Sequence, residues 1–308
     1  MARTDRRSRL AANSAEGMAA LRAAGAAERD AVLRNPDFMA TRFLSARPKV
    51  QSLAKVPGIR RSFPALAERL LPGGYYYEAA RVKYIDAVLL TELERGLDQV
   101  LILGAGYDSR PYRYADALAR VRVYEIDLPS ISTLKRRKTA RILGRLPRHV
   151  HYIGADLRRG DLPDGLAEHS YRPEDATLIV LSGVMAYLPE DAVRRLFHFV
   201  GRHTSARTSI VFDYAYREMV QGENSFHGAT QTRRRLDALG EPFEFGIPIG
   251  GTAEFVERFG LTLACDLHPG DLARRYLRRA DGTVAGRPYG FAAIAHARVK
   301  GTPIPGGH

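Results

Sequence analysis

The sequence predicts an α/β protein, a mostly parallel sheet with helices on both faces, and three observations carry that expectation. Short apolar runs alternate with helical segments from residue 99 onward. The first run ends on two glycines, in LILGAGYDSR. The next two runs end on carboxylates, Asp127 and Asp156. Strands that are apolar throughout, rather than at alternate positions, imply burial on both faces, as in a parallel sheet under helices.

The elements follow in order. Residues 14 to 34, SAEGMAALRAAGAAERDAVLR, have helical spacing and stop before Asn35-Pro36. Residues 35 to 76 are punctuated by Pro36, Pro48, Pro57, Pro64 and Pro72, which predicts short helices and loops. A helix over Glu78 to Arg95 puts Val82, Ile85, Val88, Leu89 and Leu93 on one side. QVLILG (99 to 104) is the first strand, followed by a helical ADALAR. VRVYEID (121 to 127) is the second, and the helix after it carries Pro129 in its first turn. HVHYIGAD (149 to 156), ATLIVLSG (176 to 183) and TSIVFDY (208 to 214) are strands three to five, with a helix in EDAVRRLFHFVGRH between the last two. Residues 215 to 250 are too long for a plain connector and predict an insertion with some helix of its own. GTAEFVERFG is a compact helix closed by Gly260, and LTLACDLH and RPYGFAAIAHARV supply a final antiparallel pair, seven strands in all.

Composition narrows the function classes. No run approaches the eighteen or so apolar residues of a membrane span, and no apolar segment follows the charged N-terminus as a secretory signal would require. The only cysteine is Cys265, so neither a disulfide framework nor a Cys-based metal site is expected, which favours a reducing, cytoplasmic compartment. A formal charge of +13 raises the question of nucleic acid. Only six of the 47 basic residues are lysine, however, a bias of GC-rich coding sequence. The basic clusters at 135–138, 233–235 and 274–279 fall in separate segments, which suits solvated helix faces better than a continuous track.

In a doubly wound sheet, ligands bind outside the carboxyl ends of the strands. Three of those ends carry ligand chemistry here. Gly104, Ala105 and Gly106 let a ligand approach backbone closely. Asp127 can accept both hydroxyls of a ribose. Asp156 and Leu157 offer an acceptor for an exocyclic amine beside an apolar surface. The dinucleotide fingerprint G-x-G-x-x-G is incomplete, with Ser109 at the third glycine position, and a G-x-x-x-x-G-K-[ST] phosphate loop is absent. An adenosine ligand without a pyrophosphate fits this layout, and S-adenosylmethionine is such a ligand.

The chain resembles the leucine carboxyl methyltransferase family of class I S-adenosylmethionine-dependent methyltransferases, in particular its bacterial O-methyltransferase and polyketide carboxyl methyltransferase branch. The matching segments are AEGMAALRAA, NPDFMATRFL, YYYEAARVKYIDAVL, QVLILGAGYDSRPYR, VRVYEIDLPSISTLKRR, YIGADL and GVMAYLPEDAV, from about residue 15 to about residue 200. The resemblance implies a Rossmann-like core over 78 to 308, with an N-terminal helical cap over 1 to 77 and a lid at about 215 to 250. It implies that Arg81 pairs with the methionine carboxylate of the cofactor, that Gly104, Ala105 and Gly106 lie under it, that Asp127 holds the ribose, with Glu125 a competitor, and that Asp156 and Leu157 meet the adenine. Ser182 departs from the family, which often has glutamate at this position contacting the amino-acid end.

Methyl transfer is an in-line displacement, so alignment and exclusion of water matter most. A carboxylate acceptor needs no base; a phenol is helped by one. No catalytic base is assigned from sequence; His227 and His268 are candidates. Tyr75 to Tyr77, Tyr107, Tyr112, Tyr187, Tyr214 and Tyr216 could line an acceptor pocket. The leading expectation is an O-methyltransferase acting on a carboxylate or hydroxyl of a small molecule or a peptide C-terminus, with S-adenosylhomocysteine as product. An RNA-nucleoside methyltransferase and a binding protein that has lost catalysis are the alternatives, and a nicotinamide dehydrogenase is disfavoured by Ser109.

Overall fold

A computed structural model describes residues 2–45, 65–160 and 162–301. The sheet consists of β1 (Gln99–Leu103), β2 (Arg122–Asp127), β3 (Val150–Gly154), β4 (Thr177–Leu181), β5 (Ser209–Ala215), β6 (Leu261–Leu267) and β7 (Ala292–Val299). Its order is β3-β2-β1-β4-β5-β7-β6. β7 runs antiparallel to both β5 and β6, and the other described pairs are parallel. Every residue of β1, β4, β5 and β7 is buried, while the edge strands β3 and β6 are part-exposed. Continuous burial in the central strands is the reason their sequences are apolar without alternation. The strand order reverses between β1 and β4, which opens a crevice at their carboxyl ends.

Helix α1 (Ala2–Gly25) is followed by the short α2 (Ala40–Phe43). The expected 14–34 helix therefore ends at Gly25, nine residues early. The chain turns there because Asn35 folds back: its amide donates to the Gly25 carbonyl, and its Cβ would lie 2.9 Å from any Cβ at position 25. Residues 46–64 of the expected irregular stretch, with Pro48, Pro57 and Pro64, lie outside the described residues. Helix α3 (Gly74–Glu94) starts earlier than expected and buries Val82, Ile85, Val88 and Leu89. After β1 the helix is α4 (Arg110–Arg113), and ADALAR forms turns instead. Pro111 and the buried Arg110 start helix directly behind the glycine loop, and ADALAR turns instead, burying Leu118, 1% exposed, in the core.

Helix α5 (Pro129–Leu143) packs on β2 and β3. It contributes Lys135, whose Nζ lies 2.6 Å from Glu125 and donates to the Ala105 carbonyl at 3.1 Å, a prop beneath the glycine loop. Burial pushes the Glu125 carboxyl up to about 7, against the opposing pull of Lys135 and Tyr112. The folded protein thus holds this proton more tightly than an unfolded chain, whose value is 4.5, so Glu125's contribution to stability is full at low pH and is lost as pH rises through about 7. Lys135→Met should cost about 3–5 kcal/mol by stranding a buried carboxylate. Urea unfolding should show a larger loss at pH 8.5 than at pH 6, where Glu125 can be neutral.

Helix α6 (Glu190–Arg202) anchors the other half of the sheet through Phe197. Its ring meets Phe212 of β5 at 5.1 Å and Phe255 at 4.8 Å, both edge-on. The insertion carries α7 (Arg217–Val220) and α8 (Ala229–Leu239). Among the described residues no helix is long and apolar enough to cross a membrane.

Candidate functional site

The carboxyl ends of β1 to β5 open into a cavity of about 910 Å³, roofed by α1 and by the insertion. All eight residues expected to contact a cofactor line it: Arg81, Gly104, Ala105, Gly106, Asp127, Asp156, Leu157 and Ser182.

The glycines are there for steric reasons. Gly104 has φ +68°, and a Cβ on it would sit 2.2 Å from Cγ2 of Val184. Gly106 also has positive φ, and its amide donates to Asp127 Oδ2 at 2.7 Å while the Leu128 amide donates to Oδ1 at 2.7 Å. Both oxygens of Asp127 are thereby fixed at the cavity edge, each with a lone pair to spare. Burial pushes this carboxyl up, while the two amides and Lys135 pull it back. Glu125, the competing ribose acid, is 1% exposed, spends itself on Lys135 and Tyr112, and is absent from the lining. Asp156 accepts the Arg158 amide at 3.0 Å, and Leu157 lies beside it.

Arg81 comes from α3 and is buried beneath Gly183, where a Cβ would be 3.0 Å from its Nη1. It pairs with Glu78 on its own helix and, at 2.5 Å, with Asp213 of β5. Burial alone would lower the guanidinium, but the two carboxylates outweigh it and raise it further. Asp213 also accepts the Gly183 amide at 2.6 Å. The pairing Leu181↔Phe212 sets Asp213 level with Ser182, the position that departs from the family. Asp213 went unnoticed in the sequence, although a carboxylate within the strand-like run TSIVFDY was an available signal.

Ser109 is more than a missing glycine. Its hydroxyl donates to Asp37, which Arg22 of α1 holds at 2.8 Å, and it accepts from Arg113 at 2.9 Å. Arg22 in turn donates to the Tyr107 carbonyl at 2.9 Å, so the N-terminal helix is bolted to the glycine loop.

The roof is tied down as well. Ser14 of α1 donates to Glu241 of the insertion at 2.9 Å. Arg158 grips both oxygens of Glu244 and donates to the Tyr187 carbonyl at 2.7 Å. Apolar walls come from Leu66, Leu70, Leu236, Leu239 and Phe243, and Arg235 of α8 adds a cation.

Of the tyrosines expected near the mouth, Tyr77, Tyr107, Tyr187 and Tyr214 line the cavity, as does Tyr289, which the sequence did not single out. Tyr75, Tyr76, Tyr112 and Tyr216 do not. Burial raises all five lining phenols, Tyr107 and Tyr289 to about 12, so they stay protonated at neutral pH. Neither candidate histidine lines the cavity. His268 is the N-cap of the helix Pro269–Tyr276 and bonds Tyr216 at 2.6 Å. His227 packs its backbone against Gly290.

Comparison with known proteins gives a consistent result. The family model described as leucine carboxyl methyltransferase matches residues 15–201. A Mycobacterium avium (strain 104) protein provisionally named an S-adenosyl-L-methionine-dependent methyltransferase is 32% identical over 232 residues, 75% of this chain and 71% of that one. A Bacillus subtilis (strain 168) protein of the same provisional description is 28% identical over 193 residues, and the match spans 63% of each chain. Among solved structures, a Thermobifida fusca YX protein provisionally described as a methyltransferase superposes with a TM-score of 0.56 at 19% identity, covering 79% of this chain and 88% of that one. A DUF574 family protein from Streptomyces avermitilis gives 0.54 at 18%, covering 79% and 91%. At these identities the structural likeness speaks for the fold.

Proposed function

Because the chain belongs to the leucine carboxyl methyltransferase family, and is thus an S-adenosylmethionine-dependent methyltransferase, we propose that it O-methylates a small molecule, or a peptide C-terminus, at a carboxylate in preference to a hydroxyl. The observation that carries this reading is the lack of an available base. Among the described residues lining the cavity there is no histidine, cysteine or lysine, and the tyrosines are held protonated. Its carboxylates all have partners: Asp37, Glu78, Asp108 and Asp213 guanidiniums, Asp127 and Asp156 backbone amides and, in this reading, the cofactor's ribose and adenine, Glu241 the Ser14 hydroxyl and Glu244 Arg158. A carboxylate acceptor is ionised at pH 7 and needs no proton removed.

When bound, the cofactor supplies an electrophilic methyl group on a cationic sulfur. In this reading Asp127 holds the ribose, Asp156 and Leu157 take the adenine, and Gly104 to Gly106 give the ligand a floor without side chains. Arg81 offers its remaining donors to the methionine carboxylate, and Ser182 contributes a neutral hydroxyl. Residues 1–77 act as the cap of a core spanning 78–308, and 215–250 as its lid, shielding the reacting atoms from water. Arg235 pairs with an anionic acceptor and helps aim it. Held there, the cofactor would supply its methyl group to the acceptor oxygen as the carbon–sulfur bond breaks with its electrons left on sulfur, giving a neutral methyl ester and S-adenosylhomocysteine.

Arg22, Arg81, Arg110 and Arg113, close to the strand ends, are buried in ion pairs, which supports a small acceptor over an RNA backbone running across them. A chain with a single cysteine, Cys265, suits a reducing compartment, so a cytoplasmic location is part of this proposal. Initial rates on a panel of carboxylic acids, phenols and tRNA test the reading. Turnover of a carboxylic acid is expected with little pH dependence between about 6.5 and 8.5, since a carboxylate of pKa near 4 is ionised throughout. Rates that rise steeply with pH on a phenol, with acids inert, would overturn the carboxylate preference, and turnover confined to tRNA would overturn the small-acceptor reading.

A further inference from the structure

The ion pairs around Arg81 do not balance. Arg22, Arg81, Arg110 and Arg113 are linked through Asp37, Glu78, Asp86, Asp108 and Asp213 into one buried chain of ion pairs, five carboxylates against four guanidiniums among the described residues, and Lys135 bears on it only at Asp108, the end remote from Asp213. Such a surplus in a poorly solvated site favours a cationic ligand that can complete it. Asp213 ends this chain. It pairs with one guanidinium only, lines the cavity, and stands level with Ser182 at the carboxyl end of β4.

The sheet order says what lies above it. With adenosine over the ends of β3 and β2, at Asp156 and Asp127, the rest of the ligand extends across β1 toward β4, each strand adding about 4.8 Å. On that reading the sulfonium end would lie toward β4, the strand next to β5 and Asp213. That sulfur carries a positive charge before transfer and none afterwards.

We propose that Asp213 makes the site discriminate by charge, holding S-adenosylmethionine more tightly than S-adenosylhomocysteine, so that methyl transfer itself weakens the grip on the spent cofactor. Adenosine, ribose and amino-acid contacts are common to both ligands, and Asp213 acts on the one feature that differs. Ser182, a neutral neighbour just after β4, leaves this task to the β5 carboxylate. The inference rests on the cofactor-site assignment above.

Calorimetry with both ligands separates the two claims. Asp213→Asn should lower affinity for S-adenosylmethionine by about tenfold or more while changing that for S-adenosylhomocysteine less than about threefold, as expected for one lost charge pair at reduced dielectric. Any displacement of Arg81 in that variant acts on both ligands and cancels in their ratio. Ser182→Asp, which removes no native carboxylate, should shift the ratio further toward S-adenosylmethionine, and in the Asp213→Asn background should restore it. Equal losses for both ligands in Asp213→Asn, or a ratio unmoved by Ser182→Asp, would overturn the role of Asp213 and leave the site assignment intact. Unchanged binding of both ligands in Asp127→Ala would overturn the site assignment itself.

Discussion

Replacement of Asp127 by alanine is expected to lower affinity for S-adenosylmethionine by about 100-fold, a loss of about 2.7 kcal/mol, the scale of one or two hydrogen bonds to a charged acceptor. Two effects act together. The carboxylate would no longer receive the ribose hydroxyls, and it would no longer pin the Gly106 amide, to which it is bonded at 2.7 Å. Asp127→Asn keeps a carbonyl oxygen for the loop and should fall between wild type and alanine. Because S-adenosylhomocysteine shares the ribose, it should suffer equally, and isothermal titration of both ligands checks this. Protonation mimics the mutation. Burial raises the Asp127 carboxyl above the ordinary 3.8 in spite of its two amide donors, so cofactor affinity should begin to fall at a higher pH than for an exposed aspartate as acid is added. Affinity that is insensitive to the substitution would show the ribose to be held elsewhere.

The strands were legible because burial on both faces writes itself as an uninterrupted apolar run, and because each run stops at glycine or aspartate where the ligand crevice begins. QVLILG, VRVYEID and ATLIVLSG therefore read directly, and the cavity-lining residues at their ends came with them. What could not be read was set by contacts between distant segments. Gly25 ends α1 because Asn35 returns to it, a contact invisible to helical spacing. ADALAR carries a helical pattern, yet Arg110 starts helix earlier by reaching Asp86 on α3. Ser109 registered only as an absent glycine, whereas its hydroxyl joins Asp37 to Arg113. Asp213 hid inside a strand, and its partners Arg81 and Gly183 come from α3 and from the end of β4. Local pattern reveals elements, and charge pairing across elements decides which polar residues face the cavity.

Gly104→Ala carries the other large effect, because it strikes fold and site at one atom. The residue has φ +68°, where a non-glycine side chain costs about 1–3 kcal/mol. The added methyl would also lie 2.2 Å from Val184 Cγ2 and within 3.3 Å of its Cβ, so the loop or the segment after β4 must move. Val184 follows Gly183, whose amide is held by Asp213, so the displacement reaches the Arg81 pair as well as the floor. Cofactor binding should drop below detection by calorimetry, with a fall in thermal midpoint of about 2 °C per kcal/mol, the shift falling as domain size grows. Val184→Ala added to Gly104→Ala removes the clash but not the backbone strain. The double variant should recover part of the thermal stability and part of the affinity, in the proportion that the clash, rather than φ, contributes. Full recovery would assign the cost to packing alone. No recovery would assign it to the left-handed turn that only glycine adopts freely at the first position of the loop.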